Sequence, residues 1–284
     1  MNELKTANIR IGRSRFRMSS DDVYLKQFRS GTGNAIANAV RRAAGADAFE
    51  PGMAHLFSHL VRRDDMCLDV GANIGCTAIL LSQLCKQVIA FEPTPRTFMF
   101  LKTNTERSGL LNIQCNNVAL GSEDKSAAMN YSAENRSGAF VDETAHAEGE
   151  IAQIEVRRLD TIFPSLGIDR LDFIKLDIEG YEGKAIEGGC NTILQFRPII
   201  QLELNSWCLN ALHRISMPDF LDFLCDRFPI VYGIQRREYA DIHTNAGRWL
   251  VMRKNILERR FKEAVVAFDA SRLDAFYATY KRAT

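Results

Sequence analysis

Apolar segments alternate with helical segments over residues 66–205, and this alternation constrains the fold more than any other feature. Short apolar runs of strand length are separated by stretches whose apolar residues recur at helical spacing. Such alternation is typical of a parallel sheet, and because crossovers between parallel strands are right-handed, helices must cover both of its faces. The sequence therefore predicts an α/β, doubly wound sheet.

Local patterns place the individual elements. The predicted strands are 66–70, 88–91, 113–120, 126–131, 151–158, 171–176 and 199–204, with 229–234 and 249–253 as a final antiparallel pair. The strands at 126–131 and 151–158 form an inserted hairpin with a long loop. The predicted helices are 21–28, 35–44, 53–61, 74–85, 95–108, 217–226 and one or two from residue 256 onward.

This pattern divides the chain into three parts. Residues 1–64 are a helical amino-terminal extension, residues 65–255 are the α/β domain, and residues 256–284 are a carboxy-terminal helical segment. The extension would form either a lid or a contact between two copies of the chain, and the sequence leaves both readings open.

Composition excludes several classes of protein. The formal net charge of +1 gives no electrostatic case for binding nucleic acid or an anionic membrane. Seven cysteines without a C-x-x-C pair fit reduced thiols in a cytoplasmic protein better than disulfides or a zinc site. The first residues lack an apolar signal core, and no apolar run approaches the ~20 residues that span a bilayer.

The stretch LDVGANIG, residues 68–75, closes the first strand of the α/β domain. Gly71 allows a tight turn, Gly75 allows a close backbone approach, and a helix begins near Ile74. Ligands in such sheets bind outside the carboxyl ends of the strands. The spacing is neither the dinucleotide G-x-G-x-x-G nor a phosphate-binding loop, because no Lys-Ser/Thr follows.

Glu92, in the segment FEP, lies at the tip of the second strand, 21 positions beyond Gly71. An acid at this position accepts hydrogen bonds from the hydroxyl pair of a ribose. Nicotinamide dinucleotides and S-adenosylmethionine both carry that ribose. Asp69 favours S-adenosylmethionine, because a carboxylate before the glycine turn repels a pyrophosphate and suits a cationic methionine portion.

An ordered series of motifs carries a family resemblance. LDVGANIG, FEPTP, NNVALGS, RRLDTI, FIKLDIEGYE and RPIIQLELN, between Met66 and Gly233, resemble the FkbM-type methyltransferases, a branch of the class I S-adenosylmethionine-dependent enzymes. The resemblance implies a Rossmann-like sheet of seven strands with an antiparallel last strand. It also implies methyl transfer to a hydroxyl oxygen of a small-molecule or glycan acceptor, such as a sugar or a secondary metabolite.

The resemblance also implies which residues bind the cofactor. Those at the first strand would line the methionine and ribose, Glu92 would hold the ribose, and those at the third strand tip would lie beside the adenine. The implied cofactor contacts are Asp69, Gly71, Ala72, Asn73, Gly75, Glu92, Pro93, Asn117, Val118, Ala119 and Asp177.

The segment FIKLDIEGYEG, residues 173–183, brings three acids to the end of one strand. Asp177 would meet the ligand ammonium or the incoming hydroxyl, and Glu182 would start the next helix, where a negative side chain is favourable. An alcohol must lose its proton during methyl transfer, and a general base contributes about 10²–10⁴-fold. We favour Glu179 as that base, with Glu203 second.

Other readings of these residues remain open. Asp177 and His213 are further candidates for the base, although a histidine here is more often structural. Glu203 would equally serve as a buried partner of Lys175. Clustered carboxylates also attract hard cations, but we favour an ammonium or hydroxyl partner and predict no metal. The loop at 133–150 would either overhang the acceptor or be a solvated surface loop.

Two other functions compete with methyl transfer. The first is a nicotinamide-dependent oxidoreductase, against which the missing G-x-G-x-x-G and the charge of Asp69 argue. The second is a non-catalytic protein that binds S-adenosylmethionine on the same fold. This non-catalytic reading is the weaker one, because every expected type of ligand-contacting residue is present.

Overall fold

Met66–Val70, a strand in which every residue is buried, lies inside a nine-stranded sheet. The computed structural model describes residues 4–21, 25, 48–132, 138–141 and 150–283. In chain order the strands are β1 (Lys5–Ile11), β2 (Ser14–Ser20), β3 (Met66–Val70), β4 (Gln87–Phe91), β5 (Ile113–Asn116), β6 (Ala119–Leu120), β7 (Lys125–Tyr131), β8 (Phe140–Val141), β9 (Glu150–Arg157), β10 (Phe173–Leu176), β11 (Ile199–Glu203), β12 (Ile230–Gln235), β13 (Glu238–Asp241), β14 (Glu263–Ala267) and β15 (Lys281–Arg282).

Helices connect most of these strands. They are α1 (Pro51–Leu60), α2 (Cys76–Ser82), α3 (Pro95–Ser108), α4 (Leu159–Ile162), α5 (Glu182–Gly188), α6 (Cys190–Phe196), α7 (Ser206–His213), α8 (Met217–Cys225), α9 (Asn245–Glu258) and α10 (Asp274–Tyr277), with a 3₁₀ turn at Phe163–Ser165. The helix α3 matches its prediction residue for residue. Pro95 occupies its first turn, and Gly109, at φ +72°, ends it in the left-handed conformation.

The nine-stranded sheet has the order β15-β13-β12-β14-β11-β10-β3-β4-β5. The strands β5, β4, β3, β10 and β11 pair in parallel, whereas β14 runs antiparallel to both β11 and β12. The carboxyl ends of the five parallel strands therefore meet at one edge of the sheet. The sheet has two strands more than predicted, because β13 and β15 extend it beyond β12.

Apolar clusters pack on both faces of this sheet. Met66, Leu68 and Val70 of β3 belong to a cluster that includes residues of α4 to α9. Cys67, between them, belongs to a second cluster with residues of α1, α2, α3 and the β1–β2 hairpin. Side chains of a strand alternate between its faces, so both faces are covered. The prediction of an α/β fold is confirmed.

The predicted strand at 113–120 is two strands in two sheets. Its first half, β5, is an edge strand of the large sheet, and its second half, β6, pairs with β9 in a four-stranded sheet of order β6-β9-β7-β8. Residues 117 and 118 make the crossing. The predicted hairpin strands at 126–131 and 151–158 are confirmed as β7 and β9, which pair antiparallel from Lys125 opposite Val156 onward.

The helical prediction for residues 1–64 is partly wrong. Residues 5–20 form the antiparallel hairpin β1–β2, whose Ile9 and Ile11 are fully buried. Alternation of buried and exposed residues along β1 gives the period of two that a strand needs. The helix predicted at 53–61 is confirmed as α1. The helix predicted at 35–44, and nearly all of that at 21–28, lie outside the described residues.

The predictions at the other end of the chain are also corrected. Residues 249–253 lie within α9 rather than in a strand, because Thr244 caps that helix by accepting a hydrogen bond of 3.1 Å from the Gly247 N–H. The region 256–284, predicted as helical, contributes β14 and β15 to the sheet. Pairing of β14 with β11 and with β12 thus outweighs the helical appearance of the charged residues around β14. A domain boundary at residue 255 would remove a strand from within the sheet.

Gly71→Ala should destabilise the protein strongly. A Cβ at this position would collide with the backbone oxygen of Asp177, and the residue has a φ of +79°. We expect a loss of roughly 3 kcal/mol, about 1–2 from the left-handed backbone and about 1–3 from overpacking. Urea unfolding followed by circular dichroism measures it.

Gly109→Ala is the matched control for this change. Gly109 has a similar φ of +72°, but a Cβ there would meet no atom within 4 Å. It should therefore cost only the backbone term, about 1–2 kcal/mol. Equal losses in the two variants would show that the close approach of the glycine turn to Asp177 contributes nothing to stability.

Candidate active site

A cavity of about 240 Å³ lies at the carboxyl ends of β3, β4, β10 and β11. Parallel strands leave such a crevice where their following loops diverge. Among the described residues, its charged lining consists of five carboxyl groups and one ammonium group: Glu50, Glu92, Asp177, Glu179, Glu203 and Lys175. The cavity is therefore strongly acidic, and it suits a cationic ligand better than an anionic one.

The glycine turn after β3 forms one wall of this cavity. The N–H groups of Gly71 and Ala72 both donate to the Phe91 carbonyl, at 3.1 and 2.9 Å, which fixes the turn to the end of β4. Gly75 has a φ of +97° and precedes the first residue of α2. Asn73, also left-handed at φ +49°, has a buried Oδ1 without a hydrogen-bond partner among the described residues. That oxygen remains able to accept a hydrogen bond from a ligand.

Glu92 is held rigidly at the tip of β4. Its Oε1 accepts a hydrogen bond of 2.9 Å from the Thr94 N–H, and its Oε2 accepts one of 3.1 Å from the Asn73 N–H. Burial raises the pKa of Glu92 to about 7, although these two N–H groups lower it. Each carboxylate oxygen retains a lone pair for a further donor, which is the arrangement that a vicinal hydroxyl pair requires.

Asn117 supports the same turn from the adjacent strand. Its Nδ2 donates to the carbonyls of Glu92 and Pro93, at 2.8 and 2.9 Å. The side chain does not line the cavity, whereas Val118 and Ala119 do. In this structure the Asn117 side chain therefore supports the turn at Glu92, and its contact with a cofactor base stays a prediction. The apolar residues Val118 and Ala119 form part of the cavity wall.

Lys175 is a fully buried lysine in the otherwise apolar strand β10. Its Nζ donates to the Gly71 carbonyl at 2.9 Å and to the Val70 carbonyl at 3.3 Å, and it lies 3.3 Å from Asp69 Oδ1 and 3.7 Å from Asp177 Oδ2. Burial lowers the pKa of Lys175, but the two carboxylates outweigh this effect and raise it above its usual value. The lysine therefore stays charged and joins the glycine turn to β10.

Asp69, predicted to contact the cofactor, pairs with Lys175 in this structure, and its cofactor contact stays a prediction. Asp69 is 0% exposed and does not line the cavity, and its carboxylate faces the ammonium of Lys175, its partner in register on β10. Burial raises the pKa of Asp69, and Lys175 partly offsets that increase. An acid on a fully buried strand needs an internal counter-charge, which explains why it pairs with the lysine rather than with a ligand.

Asp177, Glu179 and Glu203, all candidates for the base, come together in the structure. One carboxylate oxygen of each lies within 4.8 Å of the others. Glu179 reaches this point because its backbone is left-handed, at φ +55°, and Gly180 follows at φ +92°. Three carboxylates so close together can hold a divalent cation or share protons with a bound hydroxyl group.

The protonation of these acids differs. Burial, followed by the charges of Asp177, Glu179 and Glu182, raises the pKa of Glu203 to about 9. Burial also raises the pKa of Glu179, but a hydrogen bond from the Cys208 thiol, 2.9 Å from Oε2, lowers it. Asn205 Nδ2 links the pair, at 3.3 Å from Glu179 and 3.4 Å from Glu203. At neutral pH Glu203 therefore holds a proton.

Glu182 and His213 support the turn that presents Glu179. Glu182 is the first residue of α5, as predicted, and its Oε1 accepts hydrogen bonds of 3.0 and 3.4 Å from the N–H groups of Ile178 and Gly180. His213 Nε2 lies 3.0 Å from the Glu179 carbonyl oxygen. His213 does not line the cavity, so this position favours a structural role over a catalytic one.

A family comparison identifies the chain. The family described as the methyltransferase FkbM domain matches residues 69–226, which is more than half of the 284 residues. This chain belongs to the FkbM methyltransferase family. The resemblance inferred from the motifs between LDVGANIG and RPIIQLELN is thereby confirmed.

Individual relatives are distant. The chain is 27% identical over 145 residues to Methyltransferase 1 of Beauveria bassiana, a match that covers 44% of this chain and 58% of the relative. It is 25% identical over 153 residues to Methyltransferase sdnD of Sordaria araneosa, covering 43% and 59%. The chain thus matches less than two thirds of the length of these relatives. A crystal structure of methyltransferase FkbM from Methylobacillus flagellatus KT shares 16% identity at a TM-score of 0.44, covering 85% of this chain and 56% of that one.

Several residues of this candidate site carry no clear signal in the sequence. Phe49, Glu50 and Met53, around the start of α1, line the cavity although they lie in the predicted extension. Met129 and Val141 line it from the second sheet. Lys175, in contrast, carries a signal in the sequence. A lysine within an apolar strand is rarely buried unless it is paired, and this rule could have identified it as a structural residue.

The loop predicted at 133–150 lies largely outside the described residues. Of that loop, Ala139 and Val141 line the cavity. None of the helices in the part of the chain that the structure describes is long and apolar enough to cross a bilayer.

Lys175→Met should destabilise the protein by about 3–5 kcal/mol, because it leaves a buried carboxylate without its partner. Lys254→Met is the control, since Lys254 forms an i,i+4 pair with an exposed Glu258 and should change stability little. The double variant Asp69→Asn/Lys175→Met should recover part of the loss. Chemical unfolding measures all three, and a Lys175→Met protein as stable as the control would contradict the role of the pair.

Proposed function

We propose that this FkbM methyltransferase transfers a methyl group from S-adenosylmethionine to a hydroxyl oxygen of a sugar, glycan or secondary metabolite. The observation that carries the proposal is the acidic cavity at the strand tips, which combines Glu92 with the cluster of Asp177, Glu179 and Glu203. S-adenosylmethionine bears a sulfonium and an ammonium group. A pyrophosphate dinucleotide is anionic and would be repelled, which disfavours the nicotinamide-dependent alternative.

The residues present fit this cofactor. Glu92 would hold the ribose hydroxyls, and Asn73 would supply the acceptor oxygen that lacks a partner among the described residues. Asp177, with 40% of its side chain exposed, is the carboxylate available for the ammonium group. Val118 and Ala119 would provide the apolar wall beside the adenine. When bound, the cofactor supplies an electrophilic methyl carbon.

Glu179 is the proposed general base. Its carboxylate lies with Glu203 and Asp177, and it is the member whose pKa is raised by burial and moderated by a hydrogen bond. A raised pKa brings a carboxylate closer to the pH at which it can both lose and accept a proton. Glu203, protonated at neutral pH, would donate a hydrogen bond to the acceptor and orient it.

The predicted cytoplasmic location and contact between copies stay predictions. All seven cysteines are free thiols, which favours a reducing compartment. The role of the amino-terminal region also stays a prediction, although α1 contributes Met53 to the cavity wall.

The central experiment has two parts. Isothermal titration should show binding of S-adenosylmethionine and of its demethylated product, and no binding of NAD. A screen of glycans, polyketides and small phenols with labelled donor should then show label on a hydroxyl oxygen. Binding of the donor without transfer to any acceptor would support the non-catalytic alternative instead.

Affinity for S-adenosylhomocysteine should fall as the pH is lowered. Ribose hydroxyls donate to the ionised form of Glu92, whose pKa is about 7, so binding is strongest above that pH and weakens as the carboxyl protonates. Between pH 8 and 6 the ionised fraction falls about tenfold, and the dissociation constant should rise by a similar factor. Calorimetry at three pH values measures it. Glu92→Gln should bind weakly and without this dependence, so an unchanged pH profile in that variant would remove the assignment.

Glu179→Gln should lower kcat by about 10²–10⁴-fold and leave the affinity for S-adenosylhomocysteine unchanged, because it removes the base and not a cofactor contact. Glu187→Gln, an exposed residue on α5, is the control and should have normal kcat. Assays with and without EDTA complete the test. If EDTA abolished the activity and a divalent cation restored it, Glu179 would not be the base. A metal held between the three acids would take over that role.

A further inference from the structure

Two further cavities lie next to the acidic cavity. A cavity of about 210 Å³ shares Glu203 with it, and a cavity of about 230 Å³ shares Arg259 and Lys262 with the second. The three cavities are therefore neighbours, and the one of about 210 Å³ links the lining of the other two. We call the two further cavities the basic groove, defined by Trp207, Arg236, Arg259, Arg260, Lys262 and Tyr280.

The charged groups that line the first cavity and the groove are opposite in sign. The first cavity has five carboxyl groups and one ammonium group, whereas the groove has four cations and, beyond the Glu203 it shares, a single acid, Glu263, in its described lining. Burial raises the pKa of Glu263 to about 7, so it offsets only part of that charge. Arg260 pairs with Glu258 at 3.5 Å, outside the lining. The groove therefore favours an anion.

Several donors in the groove are not used by the protein itself. Within the described part of the chain, Arg236 and Arg259 form no side-chain hydrogen bond or ion pair, and both are exposed. Tyr280 is only 3% exposed, and its buried hydroxyl has no hydrogen-bond partner in the same part. A buried hydroxyl without a partner costs free energy unless a ligand satisfies it. These groups together can donate to the oxygens of one anionic group.

An exposed tryptophan lies between the acids and the cations. Trp207, at the start of α7, is 62% exposed and lines the cavity that connects Glu203 with Arg259. A sugar or aromatic ring can pack on such a surface, and an indole is the most favourable residue for this contact. One cavity thus brings together an acid of the first cavity, a flat apolar surface and two cations.

From this arrangement of acids, tryptophan and cations we infer that the acceptor carries an anionic group. That group is a phosphate, sulfate or carboxylate, and the basic groove binds it. The ring or chain of the acceptor packs on Trp207, and its hydroxyl group reaches Glu179 and Glu203. This inference rests on the proposed function only for the hydroxyl group that reacts, and the anion site stands independently of it. It narrows the acceptor class to hydroxylated molecules with a separate anionic group, such as acidic or phosphorylated sugars.

Anion binding can be measured without any cofactor. The chain has two tryptophans, and Trp249 is 65% exposed and lies outside the groove, so Trp249→Phe leaves Trp207 as the only indole reporter. Inorganic phosphate and glucuronate, titrated at low ionic strength, should change its fluorescence with saturation, whereas glucose should not. A response to phosphate alone would assign a phosphate site, and a response to both a general anion site.

Variants in the same background locate the site. Arg259→Gln and Lys262→Gln should each raise the dissociation constant about ten- to a hundredfold, the range for hydrogen bonds to charged groups. Tyr280→Phe should weaken binding without changing the fold. Arg214→Gln is the matched control, because Arg214 ends α7 in the same left-handed conformation as Arg259 ends α9, at φ 56° against 51°, but lines neither cavity.

The outcomes separate this inference from the proposed function. Arg259→Gln and Lys262→Gln should bind S-adenosylhomocysteine as the parent protein does. Equal anion affinity in Arg259→Gln, Lys262→Gln and Arg214→Gln, or an equal response to chloride and phosphate, would overturn the basic groove and leave the cofactor site untouched. A protein that binds phosphate through Arg259 but no cofactor would instead keep the groove and overturn the methyl transfer.

Discussion

The contact between Lys175 and the glycine turn determines the shape of the site. The Lys175 ammonium group, fully buried on β10, donates hydrogen bonds to the carbonyls of Val70 and Gly71. It also lies beside the carboxylates of Asp69 and Asp177. Without that cation, Asp69 would be an uncompensated charge within the sheet. With it, the loop after β3 is fixed against the loop after β10, and the walls of the cavity are fixed in turn.

The rest of the site follows from burial of acids around this centre. Backbone N–H groups hold Glu92 and Glu182, so both carboxylates are positioned although both are nearly inaccessible. Glu203 has no such support beyond Asn205, and the surrounding acids keep its proton on. The protein thus uses similar carboxyl groups in different ways: as a rigid acceptor, as a support of the turn before α5 and as a protonated donor. Environment rather than residue type separates these roles.

Sequence patterns predicted the parallel part of the fold and four of the six charged residues in the described lining of the cavity. LDVGANIG, FEP and KLDIEGYE sit at strand ends, where the residue type directly reflects the turn or ligand that it serves. The patterns failed where tertiary pairing decides the structure, as at residues 5–20 and 263–267, which are strands. They also could not show the pairing of Asp69 with Lys175, because a sequence shows that an acid is present but not that a lysine one strand away faces it.

The placement of β14 has a consequence for how the chain assembles. The strand that separates β11 from β12 follows both of them in the sequence. It pairs with β12 from Glu263 to Ala267 and with β11 from Glu263 to Val266. Until it arrives, two apolar strand edges remain open side by side, and open edges invite pairing with other chains. Closing the sheet therefore depends on contacts that are distant in sequence, which form slowly. A chain shortened before β14 would leave the facing edges of β11 and β12 unpaired and should be prone to aggregation.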